Sequence, residues 1–269
     1  MLRTRVATAL VLLGVLLVVL FWLPPLAGAG FFALVVLLGA WEWAAFAGLT
    51  RPLARLGYVL ATLALGAVAW TATAGLEGWI VWMQGAALWW AGAFLWLCLA
   101  PHAVNRATAA LAGLLVLVPA WVGLARLLAF DGTRQGAALL FFMLLVVWAT
   151  DIGAYFAGRR FGRLKLAPAV SPNKTWEGVL GGTLLGLVVA LAGAAWFHAP
   201  RAPFVGLGLA VVCTSMVGDL TESMFKRYAH VKDSGSLLPG HGGVLDRIDS
   251  ITSAVPFFVL GLVWLGFLA

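Results

Sequence analysis

The chain has 269 residues, of which 63% are apolar and only 10% charged, and its mean hydropathy is +1.03. A soluble domain is about 45–50% apolar, so this composition excludes a water-exposed globular protein and points to one built inside a bilayer. The net charge of +7 suits contact with anionic lipid headgroups, and nucleic acid is not an expected partner for a chain so deeply committed to a membrane.

Apolar runs of about 20 residues, each able to cross roughly 30 Å of hydrocarbon, recur along the chain. They predict nine transmembrane helices over 6–23, 27–48, 53–74, 79–100, 107–129, 137–158, 177–197, 204–225 and 251–268, hence an all-α polytopic membrane protein. Arg3 and Arg5 precede the first run, and Ala27-Gly28-Ala29 is a passable cleavage site. That run is longer than the about 7–15 apolar residues of a signal peptide, so it reads as an uncleaved helix.

The next four spans are almost free of charge. Glu42, between Trp41 and Trp43, is the exception: an acid inside a span either reaches the interface or lines a site. Cys98 and Cys213 each lie in a span and read as buried small apolar residues, since two lone cysteines support neither a disulfide framework nor a zinc site. Trp22, Trp79, Trp121 and Trp196 fall near span ends, where tryptophan marks the membrane interface. No internal repeat supports an inverted-repeat transporter. The organisation expected is a single integral membrane domain, with a helical scaffold half (1–135) and a catalytic half (136–269).

Basic residues give the orientation. With the N-terminus in the cytoplasm, the inner side receives Arg3, Arg5, Arg51, Arg55, Arg106, Arg159, Arg160, Arg163, Lys165, Lys174, Lys226, Arg227, Lys232 and Arg247. Only Arg126, Arg134 and Arg201 remain for the outer side. The same assignment gathers Asp151, Glu177, Asp219, Glu222, Asp233, Asp246 and Asp249 at the inner face, and acids contribute little to the orientation rule, so their clustering is separate information.

Three polar blocks punctuate the second half. In the first, Asp151, Tyr155 and Gly158 share a helical face by their spacing, and a carboxylate there needs a metal, a base or water. In the second, Ser171-Pro172-Asn173-Lys174 reads as a helix start with Ser171 as cap and Pro172 in the first turn. Such an end binds phosphate, and Lys174 adds a full charge; an ordinary capped helix with Lys174 facing headgroups is the other reading. In the third, Asp219, Glu222, Ser223 and Lys226 lie along one face of the eighth span. That face runs into the most polar stretch of the chain, which carries Arg227, Lys232, His241, the glycines 235, 240, 242 and 243, and then Asp246, Arg247 and Asp249. Glycines let a backbone approach phosphate closely. Carboxylates are hard donors suited to Mg²⁺, which usually takes one or two of them and leaves the rest of its shell to water and phosphate. Asp219 and Asp246, from two helix ends, are the candidate metal ligands; Lys226, Arg227, Lys232 and Arg247 are the candidate neutralisers of phosphate charge. His241 could bond a phosphate oxygen or transfer a proton.

The pattern S-x-x-K-R-x4-K-D-x5-P-x-H-G-G-x2-D-R-x-D, here Ser223, Lys226, Arg227, Lys232, Asp233, Pro239, His241, Gly242, Gly243, Asp246, Arg247 and Asp249, resembles the signature of the phosphatidate cytidylyltransferases, or CDP-diacylglycerol synthases. The upstream D-x-x-A-Y-x-x-G-R and S-P-N-K-T-x-E-G blocks, at Asp151 and Ser171, are similar to that family as well. The resemblance covers the C-terminal part in its motifs and the first half in its hydropathy alone. It implies transfer of the cytidylyl group of CTP to phosphatidate with release of pyrophosphate. It further implies Mg²⁺ held by Asp219 and Asp246, K⁺ as an assisting monovalent cation, and a homodimer. On this reading Asp219, Asp246, Lys226, Arg227, Lys232 and Asp249 are catalytic. Ser171, Asn173, Lys174, Ser223, His241, Gly242, Gly243, Arg247 and Asp151 bind substrate. The expected location is a bacterial inner membrane, with the site facing the cytoplasm among membrane lipids. A related CTP-dependent lipid kinase would yield CDP instead of pyrophosphate. A phosphate or ion transporter would carry polar residues through the full membrane depth, whereas here they concentrate at one side.

Overall fold

The computed structural model describes residues 2–130 and 134–268, with side chains from residue 6 onward; the side chains of Arg3 and Arg5, used above for orientation, lie outside this range. Among the described residues the elements run α1 (Leu2–Phe21), α2 (Pro25–Phe46), α3 (Pro52–Ala72), α4 (Leu76–Leu99), α5 (Arg106–Ala129), α6 (Arg134–Phe161), β1 (Lys165–Ala167), β2 (Ser171–Thr175), α7 (Trp176–Trp196), α8 (Arg201–Tyr228) and α9 (Leu245–Trp264). Eight helices, α2 to α9, are long and apolar enough to cross a bilayer, while the apolar stretch of α1, Val6–Phe21, is shorter. Nine spans were expected, and eight meet that measure. Leu10, Leu26, Leu53, Leu88, Leu99 and Val188 stand exposed on the outside. An apolar exterior around backbone satisfied within helices is the solution lipid demands: the chain is an integral membrane protein.

Local signals start several helices. Pro25 and Pro52 occupy the first turns of α2 and α3, where a missing N–H costs nothing. Asn105 and Thr108 form a reciprocal capping box at α5, with bonds of 2.9 and 3.0 Å. The start of α7 differs from expectation. Ser171 and Pro172 lie in β2, which pairs antiparallel with β1 (Ala167 opposite Ser171, Lys165 opposite Thr175). The cap is Thr175, whose Oγ1 accepts from the Gly178 N–H at 3.2 Å. A proline is tolerated in a strand that pairs on one side only, and the bond from Trp176 N–H to the Leu164 carbonyl (2.9 Å) closes the hairpin. Helices α8 and α9 also reach further into the polar stretch than hydropathy indicates, to Tyr228 and back to Leu245. Backbone hydrogen bonding does not require apolar side chains, and the charged residues there satisfy one another.

The most extensive helix contact joins α6 to α7. Gly178, Gly182 and Gly186 repeat every four residues along α7 and are buried, a small-residue stripe of the kind that lets membrane helices approach closely. A Cβ at Gly181 would collide with the Ala157 methyl, and one at Gly153 with the Gly181 carbonyl. Two apolar clusters fill the interior. One centres on Phe142, Met143, Phe204 and Phe258. The other, on Trp43, Phe46, Trp90, Leu117 and Phe225, lies against the end of α8 and the start of α9. Within it Trp43 packs 5.1 Å from Phe225 and donates its indole N–H to the Ala109 carbonyl at 2.8 Å.

Of the four tryptophans assigned to the interface, Trp22 and Trp196 are exposed at helix ends, but Trp79 is buried in the first cluster. Trp121 is partly buried, donates to the Ala29 carbonyl at 2.9 Å and packs on Trp70. Both inward-facing rings satisfy packing needs that span ends alone do not reveal. Cys98 and Cys213 are exposed on the helix surface rather than buried, since each falls on the face its helix turns outward. Thr8 Oγ1 donates to the Pro239 carbonyl at 3.2 Å. This contact puts the start of α1 on the same side as the loop between α8 and α9.

Because the α6–α7 seam depends on missing side chains, Gly181→Leu is expected to destabilise the fold by about 1–3 kcal/mol through overpacking. Gly92→Leu, at a position with nothing within 4 Å of a new Cβ, is expected to leave the thermal midpoint in detergent unchanged. Equal midpoints for the two variants would refute the packing argument.

Candidate active site

Four elements bring the polar blocks together. The end of α8 carries Asp219, Glu222, Ser223 and Lys226 on one face; the first turns of α9 carry Asp246 and Asp249; α6 contributes Asp151 and β2 contributes Asn173 and Lys174. Asp151, Asn173, Lys174, Asp219, Lys226, Asp246, Arg247 and Asp249 all line one cleft of about 790 Å³, within the range of small-molecule sites. Tyr155, Arg159, Asp233 and Ser250 line it as well, with Thr150 and Thr175.

Asp246 is the most heavily bonded group. Its Oδ1 accepts from Lys226 Nζ at 2.9 Å, and its Oδ2 accepts from the backbone N–H groups of Gly243 (2.9 Å) and Ser234 (3.0 Å). The same lysine lies 3.3 Å from Oε1 of Glu222, a residue only 2% exposed. Lys226, itself buried, thus sits between two carboxylates, and for Glu222 it is the cation that offsets a buried charge. Asp219 pairs through Oδ2 with Lys174 Nζ at 2.5 Å and accepts a long bond, 3.5 Å, from Ser223 Oγ. This pair joins the hairpin to α8 and is partly open, at 27% and 30% side-chain exposure, so an incoming anion can compete for the lysine.

The remaining expected site residues play other parts in this arrangement. Arg227 donates to the carbonyls of Val170 (3.1 Å) and Val231 (3.5 Å), pinning the hairpin turn to the end of α8. Ser171 is in the hairpin, Ser223 is buried behind Asp219, and Lys232 is exposed on the loop. His241 sits in a tight turn in which Gly240 and Gly242 have φ of 76° and 80°, values that only glycine adopts without strain. Among the described residues its buried Nδ1 has no hydrogen-bond partner. Gly242 and Gly243 shape this turn, and the N–H of Gly243 serves Asp246. None of Ser171, Ser223, Arg227, Lys232, His241, Gly242 or Gly243 is part of the described cleft lining.

Among the described residues no three acidic, thiol or imidazole groups converge on one point as a closed metal cage. The acidic lining is all hard oxygen, and it suits a divalent ion that takes one or two carboxylates and finishes its shell with water and phosphate. Lysine and arginine in the same cleft suit the remaining charge of a polyphosphate. The cleft thus offers oxygen ligands for a divalent ion and cationic groups for an anion side by side.

The sequence matches the cytidylyltransferase family over residues 3–265. The chain belongs to that family. It is 44% identical to a phosphatidate cytidylyltransferase of Pseudomonas aeruginosa, over 98% of this chain and 97% of the relative. It is 42% identical to one of Haemophilus influenzae, over 96% and 97%. A phosphatidate cytidylyltransferase of Staphylococcus aureus is 40% identical over 54% of this chain and 56% of its own length.

For this cytidylyltransferase-family chain, the cleft adds residues that motif reading did not assign to the site. Tyr155 and Arg159 lie one and two helical turns from Asp151 on α6, and Arg159 Nη1 donates to the Tyr155 hydroxyl at 2.8 Å. Their spacing from Asp151 was the available signal. Ser234 had none, being one serine in a polar loop, yet its N–H and hydroxyl both reach the network around Asp246. Glu222 shared the face of Asp219 but turns inward to Lys226.

Lys226→Met should leave the carboxylates of Glu222 and Asp246 without their cation. The expected cost is about 3–5 kcal/mol, read as a lower thermal midpoint in detergent. A midpoint equal to that of the unaltered protein would show that the pairing contributes nothing to folding.

Proposed function

We propose that this protein transfers the cytidylyl group of CTP to phosphatidate, forming CDP-diacylglycerol and pyrophosphate. The observation that carries the reading is the convergence of three separated sequence blocks, at Asp151, Lys174 and Asp219 to Asp249, on one cleft lined by both signs of charge. Family membership and the activity for which the relatives are named support it.

Asp219 and Asp246 are the residues proposed to hold Mg²⁺, with K⁺ as an accompanying ion, and the other acids of the cleft would add to the negative charge that attracts it. When bound, the divalent ion neutralises negative charge on the polyphosphate. The chain's own residues do the rest. Lys174, released from Asp219 by competition, and Arg247 bind phosphate oxygens. Arg159 and Tyr155, towards the rim, orient the lipid phosphate. Lys226 keeps Asp246 ionised and in place. A phosphomonoester oxygen of phosphatidate, ionised near neutral pH, attacks the α-phosphorus of CTP; the bond from that phosphorus to the bridging oxygen breaks, and the electron pair leaves with pyrophosphate. No side chain has to remove a proton from the nucleophile, so His241, away from the cleft, is not needed as a base. Catalysis is then mainly positioning and charge neutralisation.

The distribution of basic residues supports a cleft on the cytoplasmic side with the N-terminus in the cytoplasm, and the bacterial relatives support an inner membrane as the proposed location. A homodimer is the proposed assembly.

Asp246→Ala is expected to abolish pyrophosphate release from CTP and phosphatidate while the purified protein remains folded in detergent. Turnover near that of the unaltered protein would overturn the assignment of Asp246. Lys174→Ala is expected to weaken catalysis by about 100–1,000-fold, the scale of one lost electrostatic donor to the transition state, seen in the same assay. Formation of CDP in place of pyrophosphate would identify phosphoryl transfer and overturn cytidylyl transfer.

A further inference from the structure

Glu42 lies near the end of α2, in the half of the chain that supplies none of the described cleft lining, yet the residue is only 7% exposed and its carboxylate is engaged at both oxygens. Oε1 accepts from the Val244 N–H at 3.0 Å, and Oε2 accepts from the Leu245 N–H at 2.8 Å and from the Ser234 hydroxyl at 2.9 Å. The first two donors are unpaired N–H groups at the start of α9, where the helix dipole also favours a negative charge. Among the described residues no lysine or arginine pairs with Glu42. Its charge is balanced by oriented donors alone.

The contact does not end at the helix start. Ser234, held by Glu42, donates its own N–H to the Asp246 carboxylate at 3.0 Å and accepts from the Asp246 N–H at 3.3 Å. The carboxylate also lies so close to the loop backbone that a Cβ at Gly235 or Gly243 would run into it, which accounts for glycine at both positions. Every group meeting Glu42 in these bonds is a donor. An ionised carboxylate accepts only and has room for all three; a glutamine would turn an NH₂ group towards one set of donors.

We infer that Glu42 is a positioning residue for Asp246: from the scaffold half, it clamps the start of α9 and Ser234 so that the Asp246 carboxylate is held at its place in the cleft. The inference rests on the proposed role of Asp246 for its catalytic consequence, though not for its structural one.

The test uses the full-length protein in detergent as Glu42→Gln, Ser234→Ala and the double variant. The first readout is amide hydrogen exchange without substrate or metal. Exchange is expected to speed up across 233–247 in each variant and to stay unchanged in α7. The second readout is the Mg²⁺ dependence of pyrophosphate release. Removing a partner that orients a metal ligand costs about 10–100-fold in metal affinity or activity. Glu42→Gln is therefore expected to raise the Mg²⁺ concentration for half-maximal rate and lower kcat on that scale, with KM for CTP changed much less. The double variant should be no worse than Glu42→Gln alone, because both act through one chain of bonds. Unchanged exchange in 233–247, exchange raised evenly along the whole chain, or unaltered Mg²⁺ dependence in folded variants would each overturn the inference. Should Glu42→Gln fail to fold, Ser234→Ala decides it by the same readouts. If the unaltered protein releases no pyrophosphate, the functional reading has failed, and the exchange experiment alone judges the clamp.

Discussion

A carboxylate at the edge of a membrane protein keeps its charge only if donors surround it, and Asp246 meets that condition from three directions. Lys226 comes from α8, and the N–H groups of Ser234 and Gly243 come from the loop. Together these donors offset the several kcal/mol that an unpaired ion costs in a low-dielectric setting. The loop, the end of α8 and the start of α9 are thus held in one arrangement by the needs of a single side chain. Much of the charge in an otherwise apolar chain follows from this: a carboxylate held near the bilayer needs a lysine or oriented N–H groups beside it, and helix, strand and loop each supply some of them.

The apolar half of the molecule serves the same end. Trp43 and Phe225 pack beneath the site, and Trp43 directly follows Glu42 in sequence. One stretch of α2 therefore contributes both a ring to the core and a carboxylate to the loop. The hairpin supplies the opposite wall. It is fixed to α8 at two points, through Arg227 to the Val170 carbonyl and through Lys174 to Asp219. Only the second contact is an exposed pair that a ligand can exchange.

Hydropathy alone made the helices legible, because a bilayer demands long apolar runs, and the three polar blocks stood out against that background. Helical spacing placed Asp219 and Lys226 on a common face, and that is where they lie. The hairpin was not legible. Ser171-Pro172 has the chemistry of a helix start, and only pairing with Lys165–Ala167 turns it into a strand. The reach of Glu42 was hidden for a different reason: its partners are about 200 positions away in sequence, and no local period connects them. Trp79 and the two cysteines show the same limit. Their distance from a span end was readable, but the direction each faces depends on how the helices are rotated against their neighbours.

The glycine stripe between α6 and α7 bears on how a two-tailed lipid gains entry. α6, bearing Asp151 and Tyr155, is packed backbone to backbone against α7 along this stripe, and acyl chains find little room between two helices so joined. A lipid path that followed their junction would have to pull the pair apart, whereas one along an outer edge of the pair would not.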